Sequence, residues 1–382
     1  MAFFKQSLAL FFCSLYNASI MAQFKCFSCG STASLDTRAS LCSCGGLYQL
    51  DFTPPRYDPA LLDTAEWSIF RYRAFMPPLG EKWREVTLGE GMTATVPYRK
   101  NLWFKLEYAM PTLSFKDRGA AALIWLCKTI GVERVVQDSS GNAGNAVAAY
   151  CARSGIACEI FVPKGTSPSK INMIQAHGAS CIVFDGSRDE TADACRKKAQ
   201  DEGFYYANHV YNPMFYQGTK TFIYEIYEQL SRIPDNLFIP VGNGTLLLGS
   251  QLALNELKAS GCIDRLPRIF IVQSERCAPL YGAQGDPLAI VPEATYAEGI
   301  AIGKPMRGRE ILDGSAYSGV RVVITAQEDD ILTARRELDL GGFHVEHTTA
   351  AIYAAYRAYT AQHDLEGDSL IPLCGAGLKS DK

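Results

Sequence analysis

The sequence predicts an α/β protein with two parallel sheets, each held between layers of helices in a three-layer arrangement. Two observations carry this expectation. From about residue 116 onward, short β-rich apolar runs alternate with helical segments as far as the end of the chain. The strand-like runs are also apolar throughout, as strands covered on both faces must be. A chain of 382 residues is long enough to bury two such sheets. Its 48% hydrophobic and 20% charged residues are ordinary for a globular protein.

Taken in order, residues 1–21 read either as a leader or as a mis-assigned start. One lysine, a short apolar run and small residues near Ala22 resemble a secretory signal, whereas Met21 is the alternative start. Residues 22–50 form a separate module. "CFSCGSTASLDTRASLCSCGG" sets Cys26, Cys29, Cys42 and Cys44 in a CxxC…CxC pattern, each pair followed by glycine. Two thiols in one tight turn can face a single ion, and four thiolates suit structural zinc. A metal-free ribbon and free thiols are the other readings of the same residues. Most of the 13 cysteines stand singly in apolar segments, as small buried hydrophobes in a reducing cytoplasm do.

The alternation then follows. "ERVVQ" leads into "GNAGNAVAAYCARSG", whose final Gly155 is a natural helix stop. "CEIFVP" precedes "SPSKINMIQAHG", and "SCIVF" precedes "RDETADACRKKAQDEG". "LFIPVG" precedes "GTLLLGSQLALNELKASG", "RIFIVQSE" follows, and "GVRVVITA" precedes "EDDILTARRELDLGG". The helix "HTTAAIYAAYRAYTAQHD" closes the series before "SLIPLCG". The net charge of -3, with no long Lys/Arg stripe, argues against a nucleic-acid partner. No apolar run reaches the length of a membrane span.

Three glycine-containing turns fall at strand ends, where open α/β sheets bind ligands. Ser139, Ser140, Gly141, Asn142 and Ala143 lie between a strand and a helix start, where unpaired N–H groups attract a carboxylate or phosphate. Gly242, Asn243, Gly244 and Thr245 form a second such turn, and Cys374 opens a third, "CGAGLK". No turn matches a nucleotide fingerprint, so the phosphate implied is not a nucleotide's. Any one of them also fits an ordinary capped helix. Lys116, in "PTLSFKDRG", sits beside Phe115. A lysine there either snorkels to solvent or is an amine kept for chemistry, its pKa lowered by an apolar or cationic setting to which Phe115 and Arg118 could contribute.

The order "PTLSFKDRG", "SSGNAGNA", "PVGNGT", "PLCGAGLK" resembles the threonine synthase branch of the fold-type-II, tryptophan synthase beta-like pyridoxal-phosphate enzymes. The resemblance runs from about residue 85 to the C-terminus and includes "TLGEGMT", "AEGIAIGKP" and "GFHVEHTTAA". Members of that branch often begin with a cysteine ribbon like this one. The resemblance implies a large cofactor-binding domain from residues 51–118 and 210–382, and a small mobile domain at 119–209 that closes over the substrate. It implies that Lys116 forms the Schiff base with pyridoxal 5'-phosphate and acts as general base, with Phe115 beside the cofactor. Asn142 would bond the cofactor's 3′ oxygen, Ser139–Ala143 would hold the substrate carboxylate, Gly242–Thr245 would cradle the cofactor phosphate, and Cys374 would face the pyridine nitrogen. A cytoplasmic enzyme, often a homodimer, with a small amino-acid substrate is the expectation.

Several residues depart from the branch. Met110 and Leu113 replace a polar residue and a glycine, Ala143 replaces a threonine, and Cys374 replaces a more typical threonine. Phe215 stands where an arginine commonly meets the substrate phosphate, and His209 replaces a neighbouring serine. His209, Asn208, Arg307 and Arg309 are candidates to compensate, each with an ordinary structural role as the alternative. The function expected is conversion of O-phospho-L-homoserine and water to L-threonine and phosphate. The alternative is an ammonia-lyase, dehydratase or β-replacement enzyme acting on serine, threonine, phosphoserine or diaminopropionate. A non-catalytic binding protein is a further alternative, against which the intact Lys116 and Asn142 argue.

Overall fold

The computed structural model describes residues 22–283, 286–313 and 317–379; the proposed leader at 1–21 lies outside them. The chain opens with a three-stranded antiparallel ribbon, β1 (Gln23–Cys26), β2 (Thr32–Ala33) and β3 (Tyr48–Asp51), in the order β2-β1-β3. Its apolar side, Phe24, Cys26, Cys42 and Tyr48, packs with Leu126 and Met214 of the main body.

Two sheets follow. The chain enters the larger through β4 (Thr95–Arg99) and β5 (Leu102–Lys105), an antiparallel pair whose turn needs Asn101 at φ +59. Helix α1 (Lys116–Thr129) then leads into β6 (Arg134–Gln137), α2 (Asn142–Ser154), β7 (Ala157–Pro163), α3 (Pro168–Ala176), β8 (Ser180–Phe184), α4 (Arg188–Glu202) and β9 (Tyr205–Tyr206). These strands form a wholly parallel sheet in the order β8-β7-β6-β9. Local signals set its helix ends. Gly155 stops α2 in the left-handed conformation, Pro168 opens α3, and Ser187 with Glu190 makes a reciprocal cap on α4.

After α5 (Met214–Thr219) and α6 (Thr221–Leu230), the chain returns to the larger sheet as β10 (Asn236–Pro240), α7 (Thr245–Ala259), β11 (Arg268–Ser274), the short α8 (Gly308–Leu312), β12 (Arg321–Ala326), α9 (Glu328–Leu340), α10 (His347–Gln362) and β13 (Ser369–Pro372). The order is β12-β11-β10-β13-β5-β4, parallel except for β4 at one edge. The α/β class with parallel-sheet layers is therefore as the apolar strands predicted. The antiparallel hairpin at one edge and the pair α5–α6 were not foreseen. Among the described residues no helix is long and apolar enough to cross a membrane.

One continuous apolar core joins both sheets, and α1 packs on both α2 and α5 at their junction. Beneath the first turn of α1 lies a buried ionic group. Arg118 donates to Glu107 at 2.7 Å through both Nε and Nη2, and to Glu225. Lys105 donates to Glu225 at 2.8 Å, and all four side chains are sealed from solvent. Two positive and two negative charges balance. Burial alone would push the Glu225 carboxyl up, but Arg118 and Lys105 outweigh it and hold it below its ordinary value. Glu225 also accepts from the Met92 N–H at 2.8 Å, tying the 87–93 loop to the same point. Removing one partner strands the others as uncompensated buried charge. Glu225→Ala is therefore expected to cost about 4 kcal/mol in chemical denaturation, with Glu225→Gln, which retains hydrogen-bonding atoms, losing less.

Candidate active site

Lys116 is the first residue of α1, and its position is set by the segment before it. Phe115 N–H donates to the Cys374 carbonyl at 3.0 Å and Ser114 bridges Gly375, so the strand end after β13 fixes where α1 begins. Leu113, in the same segment, adopts φ +61, a conformation in which a Cβ is strained. The side chain of Lys116 is half-buried, but its ammonium is enclosed between the Phe115 ring at 4.5 Å and the Phe215 ring at 5.7 Å. Burial lowers its pKa to about 8, against the pull of Glu346 in the other direction. The cationic setting expected from Arg118 is not the cause, because that guanidinium is engaged with Glu107 and Glu225.

Nζ of Lys116 donates to Thr245 Oγ1 at 3.0 Å, which places the amine at the start of α7. The turn there leaves no room for side chains. A Cβ on Gly242 would lie 2.8 Å from Ile302, and Gly244 has φ +77 with Ile311 at 2.4 Å from such an atom. Helix α7 begins without a side-chain cap, so its first N–H groups face the cleft as donors for an anion.

The Ser139–Ala143 turn starts α2 in the same way, with Gly141 at the cap position and no side-chain cap. A Cβ on Gly144 would lie 1.8 Å from the Ser139 carbonyl oxygen, so the turn is folded tightly onto the helix. Asn142 Nδ2 donates to Glu346 Oε2 at 3.0 Å. Glu346, the residue before α10, also bonds Gly375 through its backbone N–H at 3.0 Å. A Cβ on Gly375 would meet its carboxyl group at 2.4 Å. Burial raises the Glu346 carboxyl, while Asn142, Lys379 and Lys116 act to lower it. Glu346 thus joins the sequence-predicted residues without having been singled out. Its signal was an acid at a helix start inside "GFHVEHTTAA".

Cys374 is buried at the end of β13, and burial, with Glu346 and Glu107, holds its thiol far above its ordinary value and hence neutral. Phe215 is fully buried, its ring filling the space where a Cβ on Gly119 would stand 2.1 Å away. Two candidates for a compensating cation are accounted for elsewhere. Arg307 donates to Glu310 and to the carbonyls of Tyr48, Val210 and Tyr211, and Arg309 pairs with Asp286. In the ribbon, the Sγ atoms of Cys26, Cys29, Cys42 and Cys44 all lie within 4.8 Å of one another, with Cys26–Cys44 at 3.5 Å and Cys29–Cys42 at 3.6 Å. Tetrahedral zinc with Zn–S of about 2.3 Å requires S···S separations of about 3.8 Å.

The cleft therefore offers a desolvated primary amine, a glycine cradle with free N–H groups beside it, and a second anion-binding helix start. That donor set fits a small aldehyde bearing a phosphate. Residues 86–375 match the family described as pyridoxal-phosphate dependent enzyme. The chain is 30% identical to a threonine synthase of Methanocaldococcus jannaschii over 93% of this chain and 92% of that protein. It is 32% identical to a threonine synthase of Methanosarcina acetivorans, over 88% and 86% of the two chains. Among solved structures, maize serine racemase aligns with a TM-score of 0.65 at 22% identity, over 75% of this chain and 88% of that one, which shows the shared fold.

A pKa of about 8 in place of 10.5 means that the neutral amine prevails above about pH 8. In the cofactor-free protein, labelling of Lys116 by an amine-reactive reagent, followed by peptide mass spectrometry, is expected to reach half its maximum near pH 8. Exposed lysines are expected to do so only near their ordinary, higher value.

Proposed function

The chain belongs to the pyridoxal-phosphate dependent enzyme family and uses that cofactor, and from this premise we propose a threonine synthase-like lyase. In this reading it removes the α-hydrogen of an L-amino acid that carries a leaving group and, with O-phospho-L-homoserine and water, forms L-threonine and phosphate. The observation that carries it is the Lys116 amine, desolvated and 3.0 Å from Thr245 at the uncapped start of α7. The names of the relatives support the substrate.

Each residue has a part in this reading. Pyridoxal phosphate, when bound, supplies an electron-accepting ring that stabilises the carbanion left at the α-carbon. Lys116 would anchor the cofactor and would serve as the base that takes the α-hydrogen, for which a pKa of about 8 suits it. The N–H groups of Gly242–Thr245 would hold the cofactor phosphate, and those of Ser139–Ala143 would hold the substrate carboxylate. Asn142, held by its bond to Glu346, would meet the cofactor's oxygen substituent. The neutral Cys374 thiol would not fix a proton on the pyridine nitrogen, which would favour elimination and replacement over transamination.

A second reading rests on Phe215, which is fully buried behind Lys116 and brings no charge to the floor of the site. It favours a lyase or β-replacement enzyme acting on serine, threonine or a related amino acid. Phosphate release from O-phospho-L-homoserine, against keto-acid or amine release from the others, separates the two. Lys116→Ala is expected to lower turnover by about a thousandfold or more and to abolish fixation of the cofactor by borohydride.

The cysteine ribbon is proposed to hold one structural zinc through Cys26, Cys29, Cys42 and Cys44. Its Cys26 and Cys42 pack with Leu126 of α1, so the metal would support the helix that begins at Lys116. Metal analysis is expected to give about one zinc per chain, lost in Cys29→Ser with a lower thermal midpoint. Absence of zinc from protein grown with zinc would refute the assignment.

A further inference from the structure

Helix α8 is short, yet its side chains reach two places that the chemistry above leaves unconnected. On one side Ile311, fully buried, lies against the glycine cradle. A Cβ on Gly244 would meet its side chain at 2.4 Å, so Ile311 sets how far the cradle backbone can settle. On the other side Arg307, the residue before α8, turns towards the cysteine ribbon with its side chain sealed from solvent. The Arg307 carbonyl accepts from the Ile311 N–H at 2.9 Å, so one helical turn carries both side chains. Arg321 closes the far end of that turn by donating to the Ile311 and Leu312 carbonyls.

The grip on the ribbon is specific. Nη2 of Arg307 donates to the Tyr48 carbonyl at 2.9 Å. Glu310, held by Arg307 Nη1 at 2.6 Å, accepts from Gln49 Nε2 at 3.0 Å. Tyr48 and Gln49 begin β3, and Tyr48 stands opposite Cys26 in the pairing with β1. The cysteine cluster is thus one strand away from the guanidinium. Arg307 also donates to the Val210 and Tyr211 carbonyls, at 2.7 and 3.2 Å. Their turn is itself fixed, with Asn208 donating to Asp138 at 2.6 Å and accepting from the Val210 N–H at 2.7 Å. A buried guanidinium shared among these carbonyls cannot release one without leaving a polar group unpaired. Close-packed side chains pass a displacement on and absorb little of it.

We infer that the cysteine ribbon sets the affinity of the cradle for the cofactor's phosphate, with Arg307 as the positioning residue that carries the constraint through α8 to Gly244. The donors of the cradle are backbone N–H groups, whose directions follow from the path of the chain. A small shift of Gly244 therefore misaligns them, and hydrogen bonds weaken steeply with angle. A seated ribbon keeps α8 in place and the cradle in its binding shape. The inference rests on the reading of Gly242–Thr245 as the phosphate site.

The test titrates the full chain, freed of cofactor, with pyridoxal phosphate and with pyridoxal, which has the same ring and aldehyde but no phosphate. Both are followed by absorbance, and the readout is the ratio of the two dissociation constants. Wild type is expected to favour pyridoxal phosphate by about a hundredfold or more. Gln49→Ala trims a half-buried ribbon side chain and leaves Arg307 and Glu310 paired. It is expected to weaken pyridoxal phosphate about threefold and to leave pyridoxal unchanged. Arg307→Met is expected to show the same selective loss at about tenfold or more, and Arg307→Lys a smaller one. A residue that only held the fold together would weaken both ligands alike. An unchanged ratio in Gln49→Ala, or equal losses for the two ligands in either variant, overturns the inference, so the outcome does not depend on whether Arg307→Met folds. A wild-type ratio near one overturns the reading of the cradle itself.

Discussion

The position of the reactive amine depends on a buried guanidinium two residues further along. Arg118 spans Glu107, on the segment after β5, and Glu225, in the middle of α6, while Lys105 completes the charge balance. Elements far apart in sequence are therefore pinned to the first turn of α1. The direction of that turn sets where Lys116 projects. A buried ion pair is a poor source of net stability, since desolvation consumes most of its attraction. What the cluster supplies instead is discrimination, because any other arrangement of these elements leaves a bare charge in the core.

The cleft above it works by the opposite means, keeping charge low where chemistry is needed. Lys116 is depressed by burial, Cys374 is kept a thiol by burial, and Glu346 is raised by burial. The permanent positive potential comes from backbone N–H groups at the starts of α2 and α7, which need no counter-ion. Two anionic groups can thus be held near an amine that gives up its proton more readily than an exposed lysine does.

Much of the fold was legible because parallel strands covered on both faces are largely apolar, and β7, β10, β11 and β13 carried that mark. The hairpin β4–β5 did not, since Pro97 interrupts it and its strands carry Lys105 and Arg99. Pro97 is tolerated on an edge strand, where its missing N–H costs least. The turns at 139–143 and 242–245 were marked by local glycine chemistry, whereas Lys116 stood out only through the order of its segment with those turns, which carries the family resemblance. Glu346 and the Glu107–Arg118–Glu225 clamp were not, because their meaning lies in contacts such as Arg118–Glu225, 107 residues apart, and Asn142–Glu346, 204 apart, which no local pattern records. Arg307 and Arg309 were plausible cations by composition alone, and only their partners, Glu310 and Asp286, show them to be committed elsewhere.

The floor of the cleft is apolar by construction. Phe215 fills the space that Gly119 leaves vacant, so α1 and α5 approach closely and the floor beneath Lys116 becomes rigid and apolar. A cation placed there would share one environment with the amine and depress its proton affinity further, by like-charge repulsion in a poorly solvated site. The floor therefore stays uncharged, and the amine keeps the low-charge setting that its chemistry requires.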